Sequence, residues 1–218
     1  MFLRDNGLSL VVAVLFVVFM IGQTLTGHAQ YDEDRRDHGL PASTLGQYLH
    51  SGHFLEVTAE NWESEFLQMG FYVWLTSFLF QKGSSESKKI GEAMPVDRDP
   101  HRSTHKKDAP WPVRKGGWAL EIYQYSLSYA FALLFVLSFV LHAMGGARAF
   151  SAEQLEHGGH AVTVLGYLAT SQFWFESFQN WQSEFLSLTA MVILSIFLRH
   201  RGSPESKPVD APHSETGD

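Results

Sequence analysis

Asn61 and Glu65 stand one helical turn apart in the stretch Asn61-Trp62-Glu63-Ser64-Glu65-Phe66-Leu67, and Asn180 and Glu184 repeat the arrangement in Asn180-Trp181-Gln182-Ser183-Glu184-Phe185-Leu186. The spacing i, i+4 puts amide and carboxylate on one helix face. Each glutamate lies three residues past a tryptophan, about 4–5 Å deeper along a helix axis. Two carboxylates facing each other at that depth could hold a divalent cation or share a proton. A plainer account covers most of the same residues. Asn caps a helix, Trp anchors at the lipid headgroups, and the early glutamates complement the positive end of the helix dipole.

Histidine is the second signal. Seven of the eleven (His28, His38, His50, His53, His142, His157 and His160) fall in or beside the segments Gly27–Asn61 and Gly145–Asn180. His50 and His53 are i, i+3, with Glu56 and Glu60 extending one helical stripe, a donor set and spacing suited to Zn²⁺ or another transition metal. The pair is not duplicated, and solvated histidines at a membrane surface explain it equally simply. His38-Gly39 and His157-Gly158 are duplicated, and a turn with glycine at a special backbone angle accounts for the dipeptide. Glu176 sits in the aromatic cluster Phe173-Trp174-Phe175-Glu176-Ser177-Phe178, which reads as an interfacial belt around one acid.

Other chemistries are poorly supplied. The chain has no cysteine, hence no disulfide, thiolate metal ligand or cysteine nucleophile. Gly-x-Ser-x-Gly, phosphate-binding loops and His-Glu-x-x-His are absent. A formal charge of −7 argues against nucleic acid as a partner. The centres of the apolar runs carry no ionisable residue, whereas coupled transporters normally place one near the midplane.

What must position these residues is a duplicated, largely apolar chain. Asn61–Lys88 and Asn180–Lys207 agree at 15 of 28 positions, and Ser126–Gly146 aligns with Gly7–Gly27. Apolar runs of about 20 residues can cross the bilayer, and four are expected: about 8–27, 62–81, 122–144 and 181–199. A cleaved leader competes for the first, but its mid-chain copy cannot be one. The segments about 42–60 and 161–178 are too short and polar to span and read as interfacial helices. Residues 83–117, rich in proline and basic residues, and 201–218 are expected to be a disordered cytoplasmic linker and tail. Thirteen Lys and Arg lie on the side of the termini and connector, and three (Arg35, Arg36, Arg148) on the other. The positive-inside rule therefore makes both termini cytoplasmic. The expected fold is all-α. It is a membrane four-helix bundle of two hairpins in parallel repeat, residues 1–82 and 118–200, each with an outer interfacial helix.

Arg4-Asp5-Asn6-Gly7-Leu8-Ser9, Ser51-Gly52-His53-Phe54, Glu60–Met69 and Ser84–Lys88 resemble the membrane family designated domain of unknown function 6766. Trp111-Pro112-Val113, Phe173–Leu186 and Ser203–Lys207 extend the resemblance through the second half. It implies a bacterial inner-membrane protein and carries no assigned catalytic or binding residue. The expected role is a non-enzymatic, cofactor-free membrane protein acting through protein or lipid contacts at its outer interface. Its partners would be the bilayer and a second copy or another membrane protein. The alternative is cation or metal binding, or transport, through Glu65, Glu184 and the outer His/Glu cluster.

Overall fold

The computed structural model describes residues 2–217, all-helical and without a strand among them. The helices are α1 (Phe2–Asp5), α2 (Gly7–Asp37), α3 (Leu45–Leu49), α4 (Gly52–Leu75), α5 (Trp111–Lys115), α6 (Gly117–Tyr123), α7 (Ser126–Glu156), α8 (Val164–Leu168) and α9 (Ser171–Phe197). The bounds of α2 and α3 return in α7 and α8 119 residues later, and α4 and α9 start at the same offset. Of these helices, α2 and α7 are long and apolar enough to cross a membrane. None of the apolar window of α2 is buried by the protein, so its Val11–Phe19 surface suits lipid better than water.

Both long helices outrun their apolar cores. The polar stretch from Tyr31, beyond the span expected at about 8–27, stays helical to Asp37, since charged side chains on a solvated helix break no backbone bond. Gly39 and Gly158, at φ +73° and +77°, end the two helices. Leu40 N–H donates to Arg35 O at 2.8 Å and Gly159 N–H to Gln154 O at 2.7 Å, the return bond of a Schellman cap. Left-handed φ favours glycine, which accounts for the duplicated His-Gly.

The expected interfacial helices about 42–60 and 161–178 are not single elements. Thr44 caps the short α3 with a reciprocal Gln47 bond, and the chain breaks at His50–Ser51 before α4 begins. Ser51 Oγ accepts the Phe54 N–H at 3.1 Å, and Thr170 Oγ1 accepts the Phe173 N–H at 3.3 Å. These caps start α4 and α9 about ten residues before Asn61 and Asn180. At its other end α4 stops at Leu75, short of the expected 81. The Thr76 and Ser77 hydroxyls donate back to the Tyr72 and Trp74 carbonyls at 2.7 and 2.6 Å, competing with continued helix.

The chain forms two compact units, one of residues up to Ala59 with Val140–Trp174, the other of Glu60–Phe139 with residues from Phe175 onward. In the first, a buried tyrosine of each short helix packs on a glycine of a long one. A Cβ on Gly27 would lie 2.3 Å from the Tyr48 hydroxyl, and one on Gly146 would lie 2.3 Å from the Tyr167 ring. Further along, α4 meets α7 backbone to backbone, with Gly145 against Glu56 and Gly52 against Ala149. Small residues at such crossings let helices approach closely. Asp32 Oδ1 accepts the Ser43 N–H at 2.7 Å, and at the same register Ser151 Oγ accepts the Val162 N–H at 2.9 Å.

In the second unit Gln68 on α4 donates to Glu184 O of α9 at 3.0 Å, and Trp181 Nε1 donates to Glu63 at 3.0 Å. The connector and tail, expected to be disordered, instead form turns and short helices held by side-chain bonds to backbone. Ser87 Oγ accepts the Gln81 N–H at 2.8 Å and Ser206 Oγ accepts the His200 N–H at 2.9 Å. Lys207 is fully buried, its ammonium donating to the Pro212, His213 and Glu215 carbonyls. Low apolar content rules out a core there, but it does not rule out polar bonds that fix turns.

Candidate functional site

Within the first unit the carboxyl-terminal turns of α2 and α7 and the first turns of α4 and α9 enclose a cavity of about 390 Å³. Its walls carry four carboxylates (Asp34, Glu56, Glu153, Glu156), two guanidinium groups (Arg35, Arg148) and three imidazoles (His38, His53, His157). Residues from the two halves of the sequence meet here as side chains able to do chemistry.

His38 and His157 are set identically. Each follows the last helical residue, and each ring Nδ1 faces the carbonyl four residues back, Asp34 O or Glu153 O, at 2.9 Å. A carbonyl only accepts, so Nδ1 carries the proton and Nε2 of the neutral ring keeps its lone pair. The rings lie edge to face, centroids 6.0 Å apart. The Asp34 carbonyl raises the His38 pKa above its usual value, and the Asp34, Glu156 and Asp37 charges add to the effect.

His53 lies against Tyr31 and Tyr48, with ring centroids 5.6 and 5.9 Å away. Its Nδ1 is buried without a hydrogen-bond partner among the described residues. Burial lowers its pKa, with Asp34 pulling the other way. Glu56 is buried and accepts the Tyr167 hydroxyl at 2.9 Å. Arg35 is partly engaged, donating to Pro41 O at 2.9 Å and lying over Tyr31.

The model of the family described as Domain of unknown function (DUF6766) matches residues 1–218. The chain belongs to this family. No curated protein and no solved structure matches, so the chemistry of this DUF6766 chain is read from its own geometry.

Of the residues singled out in the sequence, His38, His157, His53 and Glu56 come together in this cavity. His50 does not join them. It is the exposed cap residue of α3, and the break at Ser51 takes it off the stripe carrying His53 and Glu56. The expected His50–His53 helical pair is therefore corrected. Gln172, 119 residues after His53, lines the same cavity.

The second unit holds the rest. Glu60 and Glu176 bring carboxylate oxygens within 4.8 Å of each other. Asn61 and Asn180 lie well inside α4 and α9 and cap neither. The Asn61 carbonyl accepts the Ser64 hydroxyl at 2.8 Å, and Asn180 Nδ2 donates to Glu176 O at 3.3 Å. Glu65 and Glu184 are near enough for their charges to interact, yet Glu65 lies on the exposed face. Glu63 is the fully buried acid of the motif. The direction α4 presents to its neighbours, two residues out of phase with the expectation, explains that exchange.

Asp34, Glu153 and Glu156 were not singled out in the sequence. A signal was present, since Asp34 and Asp37 precede His38 as Glu153 and Glu156 precede His157. The duplicated element is acid-x-x-acid-His-Gly, longer than the dipeptide alone.

Proposed function

We propose that this DUF6766 protein is a non-enzymatic, multi-pass integral protein of the bacterial inner membrane that binds a small cation in the chamber on its outer side. Its four long helices form two hairpins of one duplicated unit, inserted in the same orientation with both termini cytoplasmic. Helix bounds and cap bonds recurring 119 residues apart support the duplication. Thirteen basic residues against three support the orientation.

The observation that carries the cation reading is the charge around the cavity. Four carboxylates face two guanidinium groups there, and α2 and α7 add the negative ends of two helix dipoles. Cations are favoured at such ends by about 0.3–1 kcal/mol each. No serine, threonine or cysteine lines the cavity, so reversible binding suits it better than nucleophilic catalysis. The reading through lipid or protein contacts keeps one support of its own, the exposed Phe175 and Phe178 on α9, where an aromatic belt would meet headgroups.

Equilibrium dialysis of the detergent-purified protein against Zn²⁺, Mn²⁺ and Ca²⁺ tests the cation reading. The wild type should bind about one equivalent of at least one ion, and Glu56→Gln/Glu153→Gln should weaken it roughly tenfold or more. A wild type that binds none of the three contradicts the reading.

A further inference from the structure

We infer that His38 and His157 form a two-imidazole site for a borderline divalent metal ion, with Zn²⁺ as the probe of choice. The inference rests on the cation reading of the chamber and specifies which atoms take the ion. In each ring the 2.9 Å contact to a carbonyl commits Nδ1 to donation, so the only lone pair left is on Nε2. Metal-bound histidines are normally oriented this way, the far nitrogen donating to a carbonyl or carboxylate while the near one ligates.

Helix capping explains the Nδ1 bonds but not the meeting of the two rings. Each cap would be complete if His38 and His157 were far apart. Instead their centroids lie 6.0 Å apart. Two imidazoles on one tetrahedral zinc, with Zn–N of about 2.0–2.1 Å, have centroids roughly 5 Å apart. The observed separation is within about 1 Å of that value. Gly39 and Gly158, both left-handed, turn the chain away directly after each ring. The histidines are thereby held at the negative ends of α2 and α7, a position that favours positive charge.

The remaining coordination positions fall to water. Imidazole donors suit zinc, nickel and copper, whereas calcium and magnesium take oxygen. The site therefore selects Zn²⁺ over Ca²⁺.

Zinc titration of the full-length protein in detergent, followed by calorimetry, tests the assignment. One Zn²⁺ per chain is expected, with His38→Ala and His157→Ala each weakening it roughly tenfold or more and the exposed His50→Ala leaving it unchanged. The wild type alone gives a second readout that does not depend on how a variant folds. Zn²⁺ should protect His38 and His157, but not His50, from carbethoxylation read by peptide mass spectrometry. Undiminished zinc binding by the double His38→Ala/His157→Ala variant, or unprotected His38 and His157 in zinc-saturated wild type, overturns the two-imidazole site. If the Glu56→Gln/Glu153→Gln variant still loses the ion in that case, the chamber reading survives. A wild type that binds no cation removes both.

Discussion

Replacing Gly145 by alanine should separate α4 from α7 where they build the chamber. The new Cβ would lie 2.5 Å from the Glu56 nitrogen and 2.9 Å from its Cα, against ordinary contacts of 3.4–4 Å. Both atoms are backbone, so no side-chain rotation relieves the clash, and α4 must retreat by about 1 Å. Overpacking of this kind costs about 1–3 kcal/mol. Alanine also gains about 0.8–1.0 kcal/mol in helix propensity over glycine, which would mask part of the loss. Gly22→Ala supplies the reference, since it is helical and has nothing within 4 Å of the added Cβ. The difference between the two variants then isolates the packing cost. At 2–4 °C per kcal/mol for a chain of this size, Gly145→Ala should melt roughly 2–12 °C below Gly22→Ala by intrinsic tryptophan fluorescence in detergent. Equal melting temperatures would refute the close α4–α7 contact and, with it, the placement of Glu56 in the chamber wall.

Stability should also depend on pH through groups outside the spans. Burial depresses the His53 pKa from its ordinary 6.5, so the unfolded chain takes up that proton first and stability should fall as pH drops below about 6.5. His53→Gln should flatten that slope in melting curves from pH 7.5 to 5.5. His38, whose pKa is raised, works oppositely. Its contribution is complete below about 6.5 and is lost as pH rises through the folded value, so His38→Gln should steepen the acid-side fall.

The helical class was legible in the sequence, because apolar runs are local signals. The extension of α2 through Asp37 was not, since a charged stretch reads as loop although nothing in it stops a helix before Gly39. The break at His50–Ser51 escaped notice because the apolar spacing runs through it, while the Ser51 and Thr170 caps that set it are single hydroxyls. Of the site, the duplicated His-Gly was visible, as were His53 and Glu56. The meeting of His38 with His157 depends on contacts between residues more than a hundred positions apart, which neither stretch encodes alone. Glu65 drew attention through its spacing from Asn61, yet Glu63 is the buried acid, because spacing sets which residues share a face and not which face is covered.

The most direct measurement is the side of the membrane on which each segment lies. The chain has no cysteine, so single cysteines can report at Ala42, Val96 and Ser214, all exposed. In intact cells a membrane-impermeant maleimide should label Ala42→Cys, beside the chamber, and should reach Val96→Cys and Ser214→Cys only after permeabilisation. Labelling of position 96 or 214 from outside, or silence at position 42 in intact cells with labelling after permeabilisation, would contradict an outer-facing chamber between cytoplasmic termini.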